Sequence, residues 1–376
     1  MDRSHQPPRR TVLRAVGGML GAVAVGSLAG CLDNSRERID IRQLARDSNI
    51  TENPDGPRPH LVDEQLHLGH SPSKMADQAL DGGQPVDGIP SIDDPDFEPA
   101  ADADLDSDDP VFGVNINGVA KAYPQSVLVW HEIVNDEIGG EPVAVTYCPL
   151  TGTAQGFERG ETTFGVSGQL VNSNLLMYDR GTGTRWPQIA ATGIQGPLEG
   201  RSLAEVPIIW STWGNWRAAY PDTQLLTTNT GYQRRYGSDP YGAYNPASGY
   251  YTSGQTMFEP LESSSDEHPK AVVIGARTAE GAIAFNKSRL LDESVLTGET
   301  DGAEFVAVAD PDLETGYVYH NDASATVNTV GEREDGRYSV DGQPAAADEL
   351  PLERVIAFDA MFFAWFGLYP EMTYVS

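Results

Sequence analysis

A β-rich α+β fold, made of two internally repeated units packed as one body, is predicted by three features of this 376-residue chain. The first is self-similarity. Shifted by 162 residues, Val111 to Leu128 falls on Val273 to Leu290 without a gap, and Val111, Gly113, Ala120, Ala122, Ser126 and Leu128 recur as Val273, Gly275, Ala282, Ala284, Ser288 and Leu290. The same shift lays Val143 to Phe157 on Phe305 to Tyr319, keeping Pro149 on Pro311 and Thr153 on Thr315. At a shift of 149, Trp216, Tyr220, Pro221 and Asp222 meet Trp365, Tyr369, Pro370 and Glu371. The second feature is local pattern. Short β-rich runs (Val111 to Ile116, Val143 to Tyr147) alternate with the turn signals Asn117-Gly118 and Gly139-Gly140, while Ser126 to Asn135 reads as a short helix with Val127, Trp130, His131 and Val134 near one face. The third is size, since neither unit is large enough to bury an ample core alone.

Taken in order, residues 1–30 read as an export address. Arg9 and Arg10 stand before Thr11, Val12 and Leu13, and a Gly- and Ala-rich apolar run follows from Ala15 to Gly30, the pattern of a twin-arginine signal. Leu28-Ala29-Gly30-Cys31 resembles a lipobox, so cleavage before Cys31 leaves a thiol to carry lipid, and the expected location is the outer face of the cell membrane. Residues 31–84 are polar, with Pro54, Pro57, Pro59 and Pro72, and read as a tether; His60, His67 and His70 within it are expected to be solvated rather than metal ligands. The first repeat unit takes residues 85–230, a Gly-, Tyr- and Ser-containing connector residues 231–269, and the second unit residues 270–376. Ser91 to Asp109 holds nine acidic residues in nineteen but lacks the alternating ligands and closing Glu of a calcium loop, so it reads as solvated surface. Trp213, Trp216 and Tyr220 recur at helical spacing and are expected in the core.

Charge excludes one class of partner. The net charge of −30 comes from 25 Lys plus Arg against 55 Asp plus Glu, a balance that repels nucleic acid. Only four of the basic residues are Lys (Lys74, Lys121, Lys270, Lys287), and a carboxylate-rich, lysine-poor surface is the composition expected in molar salt. With Cys31 lipidated, Cys148 is the one thiol left, which excludes an intrachain disulfide and zinc sites of Cys₂His₂ or Cys₄ type.

The run Val111-Phe-Gly-Val-Asn-Ile-Asn-Gly-Val-Ala-Lys-Ala-Tyr-Pro124, then Trp130-His131-Glu132-Ile133-Val134-Asn135-Asp136 and Tyr147-Cys148-Pro149-Leu150-Thr151-Gly152-Thr153-Ala154, resembles the domain of unknown function 3179 family. The resemblance continues through Phe164 to Gly168, Met177-Tyr178-Asp179-Arg180, Trp186-Pro187-Gln188 and Phe363-Ala364-Trp365-Phe366, so it covers about Pro85 to the C-terminus. It implies a recurring domain of exported and membrane-associated prokaryotic proteins, with no activity to carry over. Many members carry a second Cys where this chain has Thr151, so dithiol chemistry is not open to it.

Chemistry therefore has to be read from the residues. Cys148 ends an apolar strand before Pro149, a place where a side chain is presented at the mouth of a sheet, and His131 is the base nearest in sequence that would make its thiolate. At the 162-residue shift these two become Asp310 and Glu293, a joint replacement expected of one site and one supporting half. Asp179, Arg180, Trp186 and Gln188 form a second polar cluster, read either as a carboxylate or phosphate reader or as an ion pair fixing the turn at Gly181 and Gly183. Glu132 and Asp136 offer a carboxylate pair for hydrolysis, one of many in so acidic a chain. No Walker A loop, dinucleotide fingerprint, HExxH or GxSxG motif is present. The expected function is binding of a small molecule or metal at a His131/Cys148 pocket, with a cysteine-dependent hydrolase or transferase and a structural envelope protein as alternatives; no cofactor is named.

Overall fold

Asn117 and Gly118 take φ of 52° and 78°, the left-handed pair that closes a two-residue hairpin, and they join strand Pro110–Ile116 to Val119–Pro124. The computed structural model describes residues 49–321, 323–331 and 336–376; the twin-arginine signal and Cys31 lie outside the described residues. After the first hairpin comes a single helical turn, Gln125–Leu128, and then an antiparallel meander of Ile133–Ile138, Glu141–Cys148 and Thr153–Glu158. Much later in the chain, Ile209–Thr212 returns to pair with Pro110–Ile116. Helix Trp213–Ala219 follows, its first turn capped by the Thr212 hydroxyl, and strand Gln224–Leu226 lies parallel to Val119–Pro124.

The second half runs through Val272–Arg277, Ala282–Asn286, helix Lys287–Glu293, Val295–Thr300, Ala303–Asp310 and Thr315–His320, and ends in Ala357–Met361, helix Phe362–Leu368 and Thr373–Val375. Val111 faces Pro124 and Val273 faces Asn286; Cys148 faces Thr153 and Asp310 faces Thr315; Gly113 faces Ile209 and Gly275 faces Phe358. Thr373–Val375 is parallel to Ala282–Asn286, as Gln224–Leu226 is to its own neighbour.

Two tryptophans hold the terminal helices down. A Cβ on Gly113 would stand 2.2 Å from the Trp216 ring, and one on Gly275 2.5 Å from the Trp365 ring, so each indole lies flat against a strand that only glycine can supply. Trp213 and Trp216 are fully buried, as the sequence predicts, while Tyr220, expected with them, is only half-buried against that cluster; Trp365 is fully buried as well.

Strands dominate, and among the described residues no helix exceeds seven residues. The helix expected over Ser126 to Asn135 stops at Leu128. Glu132 turns left-handed at φ 59°, and Ile133 opens a strand, so His131 and Val134 do not share a helical face. β-Branched Val129, Ile133 and Val134 favour that extended exit.

The halves differ in what they insert. The first adds a sheet of Phe164–Val171, Asn174–Asp179 and Arg185–Pro187, to which Leu80–Asp81 pairs; the second adds Val327–Thr329, Arg337–Val340 and Gln343–Ala346. The polar segment from 49 to 84 is laid along the body: Asn53 N donates to Thr182 O, Val62 N to Ser202 O and His67 N to Thr278 O. Its histidines do not converge: His60 pairs with Glu158, while His70, expected in solvent, is buried between Lys74 and the Gly367 carbonyl because the segment docks on the body. One hydrophobic cluster joins Ile133, Cys148 and Phe157 of the first half to Val273, Met361 and Trp365 of the second. Backbone bonds cross as well, Met361 N donating to Thr151 O at 2.8 Å.

Candidate functional site

Cys148 closes its strand where Pro149 and left-handed Gly152 (φ 56°) turn the chain back, and its Sγ donates weakly to the Ser173 carbonyl at 3.8 Å. It is buried, and burial, then the Glu132 charge, push the thiol up to about 11. His131 does not serve it. The imidazole Nδ1 donates to the Pro90 carbonyl at 2.7 Å and Nε2 accepts from the Tyr236 hydroxyl at 2.8 Å, so both nitrogens are engaged away from the thiol. Burial lowers the His131 pKa, with the Arg234 charge adding to it.

The side chain that does reach the thiol electrostatically is the next one along, Glu132. Its backbone is left-handed because the chain must leave the Gln125–Leu128 turn and enter a strand within one residue: Glu132 N donates to Leu128 O, and Glu132 O accepts from Tyr147 N, each at 2.7 Å. The carboxyl is buried, has no hydrogen bond or ion pair among the described residues, and is held by burial alone up at about 8. Burial thus favours the protonated, uncharged form of this carboxyl well above the range in which an ordinary glutamate ionises. Asp136 does not join it, being tied to Lys121 at 2.8 Å and to the Tyr123 hydroxyl at 2.6 Å.

The connector supplies the cover. Tyr250 donates its hydroxyl to the Leu150 carbonyl at 2.8 Å and its backbone N–H to Tyr241 O, pinning the Cys148 turn. Tyr241 and Tyr250 titrate well above the ordinary phenol range through burial first; the Glu132 and Cys148 charges then raise Tyr241 and the Cys148 charge raises Tyr250. Tyr251 and Gln125 share Asp239, at 2.6 and 2.7 Å, and the stacked rings of Tyr244 and Tyr251 extend the cover. Behind Tyr250 lies Lys270. Its Nζ is buried without a hydrogen-bond partner, 3.5 Å from the Tyr250 ring centre and 4.4 Å from that of Phe363. Burial brings the amine down to about 7, against a smaller upward pull from Cys148.

The second polar cluster is occupied from within. Asp179 accepts from Thr182 N, the Thr182 hydroxyl and Trp186 Nε1. Gln188 bridges Thr146, Thr153 and Asn174 across two sheets. Arg180 pairs with Asp87 at 2.9 Å and Asp93 at 3.2 Å, and also reaches Ser91, Thr163 and the Phe164 carbonyl. These bonds clamp the segment from Asp87 to Asp93 onto the inserted sheet, and they use the guanidinium donors that an anionic ligand would need. Of the residues singled out in the sequence, then, Glu132 is the one whose charge is felt at Cys148, while His131, Arg180 and Asp136 are engaged elsewhere. Tyr241, Tyr250 and Lys270 were not visible as site residues; the one available signal was the rarity of lysine.

Among the described residues no three His, Cys, Asp or Glu side chains converge to hold a metal ion, and no helix is long and apolar enough to cross a membrane. No curated protein and no solved structure matches the chain. A family model described as a protein of unknown function, DUF3179, matches residues 86–372, which takes in both halves together with Glu132, Cys148 and Lys270, and the chain belongs to that family.

Proposed function

We propose that the first half carries a binding site for a small organic molecule, centred on Cys148 and lined by Glu132, Tyr241, Tyr250 and Lys270, with the second half as its support. One observation carries the reading. Glu132 and Lys270 are buried ionisable side chains that have no ion pair or hydrogen bond among the described residues, yet the charge of each is coupled to the same thiol. Leaving such groups unpaired costs a few kcal/mol each, and natural folds accept that mainly at functional sites. At the corresponding places of the second half stand Ser294 and Asp310, and Asp310 is consumed internally by Leu313 N and the Tyr317 hydroxyl.

A cysteine-dependent hydrolase or transferase is the second reading, favoured by the strand-end position of Cys148. A thiol near 11 with no imidazole on it favours binding over that chemistry. Thermal-shift screening of the full chain with small acids, aldehydes and amides tests the site. Stabilising compounds are expected, and their effect is expected to vanish in Glu132→Gln and Cys148→Ser. A screen with no stabilising compound, or compounds indifferent to both substitutions, would sink the reading and leave a structural envelope protein.

The two halves are read as a duplicated unit. The strand registers, repeated 162 residues apart, and the Gly113–Trp216 and Gly275–Trp365 contacts support this. Export by the twin-arginine route and anchoring on the outer membrane face through lipid on Cys31 are proposed from Arg9-Arg10 and Leu28-Ala29-Gly30-Cys31, and the lysine-poor, acidic composition supports service in molar salt. Replacing both arginines by Lys should leave precursor in the cytoplasm, and Cys31→Ser should release the protein. Membrane retention of Cys31→Ser after a high-salt wash would overturn the anchor.

A further inference from the structure

The chain has four lysines, and three of them have a carboxylate: Lys74 pairs with Glu262 at 3.2 Å, Lys121 with Asp136 at 2.8 Å and Lys287 with Asp359 at 2.5 Å. Lys270 is the exception. Among the described residues its buried amine has no hydrogen-bond or ion-pair partner, and it sits between the Tyr250 and Phe363 rings. Phe363 has a second role. With Pro269, Gln255, Thr256, Ser263 and Glu267 it lines a cleft of about 650 Å³ that is open to solvent; the Lys270 amine is not part of that lining but stands behind the Phe363 ring, which touches both.

We infer that Lys270 is a carbonyl-capturing amine, which forms an imine with a small aldehyde or ketone entering through the cleft beside Phe363. The inference rests on the small-molecule site proposed above and names its ligand class. The step needs no outside reagent. The Nζ lone pair attacks the carbonyl carbon and forms the C–N bond, the two N–H protons pass to the carbonyl oxygen, and that oxygen departs as water to leave C=N. Desolvation prepares a lysine for this by removing the water that stabilises its ammonium form. At about 7, roughly half of the Lys270 amine is unprotonated at neutral pH, against about one in a few thousand for an ordinary lysine. The aromatic faces act in the opposite direction, favouring the cation, and an experiment can separate the two.

The full chain is treated with glyoxylate and cyanoborohydride from pH 6 to pH 10, and the reduced adducts are mapped by mass spectrometry. Lys74, Lys121 and Lys287 are internal controls. At pH 7 the Lys270 adduct is expected at least about tenfold above that on any other lysine, with a labelling midpoint near 7. Lys270→Met should lose it while keeping the melting transition, and Phe363→Leu should speed it. No adduct at Lys270, adducts spread evenly over the four lysines, or a Lys270 midpoint near that of the others would overturn the inference. Compounds whose stabilising effect depends on Glu132 and Cys148, in a protein that yields no Lys270 adduct, would leave the binding site standing and remove only the imine.

Discussion

Glu132 and Ser294 make the same kind of turn: both are left-handed, at φ 59° and 70°, and each N–H donates at 2.7 Å to the carbonyl four residues back, Leu128 or Leu290. Each carbonyl then accepts from the neighbouring strand, from Tyr147 N at 2.7 Å or Ala309 N at 2.9 Å. The backbone strain is therefore a requirement of the turn, and the side chain placed on it is a separate choice. Ser suffices for the turn. A buried carboxyl with no hydrogen bond among the described residues is therefore not something the turn requires.

Glu132→Gln should change how stability depends on pH. The Glu132 carboxyl sits at about 8 in the folded chain and near 4.5 when unfolded, so between those values the folded state holds the extra proton and stability falls as pH rises. The amide has no such slope. The variant should match the parent near pH 4 and exceed it above pH 8 by on the order of a few kcal/mol, read from denaturant midpoints at fixed salt. Parallel curves for the two proteins would show that the carboxyl is not buried unpaired.

Alkylation of Cys148 in the folded protein should have its midpoint near 11, above the free-thiol value of about 8.5. Glu132→Gln should lower that midpoint by removing a neighbouring negative charge. His131→Ala should leave it within about half a unit, because the imidazole is bonded to Pro90 and Tyr236. A midpoint that rises in His131→Ala would restore the base role read from the sequence.

Gly275→Ala should cost about 3 kcal/mol, since the added methyl meets the Trp365 ring at 2.5 Å with the helix behind it unable to retreat. Gly113→Ala, against Trp216, should cost a similar amount. Calorimetric melting of the two variants measures both, and a loss under about 0.5 kcal/mol in either would mean that the indole can shift.

Arg180→Lys should destabilise by about 1 to 2 kcal/mol although charge is kept, because a single ammonium cannot serve Asp87, Asp93, Ser91 and the Phe164 carbonyl together. Partial exposure of both carboxylates limits the effect and makes it smaller at high salt. Equal urea midpoints for the two proteins would count against a clamp.

The fold was legible wherever local chemistry dictates it. Asn117-Gly118 sets a hairpin, Gly139-Gly140 another, and spaced Trp213 and Trp216 mark a buried helix face. The helix over Ser126 to Asn135 was overread because its apolar spacing also suits a turn followed by a strand, and the backbone of Glu132 decides between them. In the site, Cys148 was visible from its place before Pro149. Its companion was not His131, since the chain reverses at Glu132 and sends the imidazole toward Pro90. Lys270 lies more than a hundred residues from Cys148, and only tertiary packing brings them together.

The pairing of Gly113 with Ile209, and of Gly275 with Phe358, also governs how the chain reaches its fold. Each central hairpin must wait for a partner strand synthesised some eighty to a hundred residues later, so loop closure is slow and apolar strand edges stay open in the interval. Intermediates of that kind stick to one another through those edges. A net charge of −30, already present on the unfolded chain, opposes that association by mutual repulsion to the extent that salt leaves it unscreened, so the acidic residues bear on folding as well as on the surface of the finished protein.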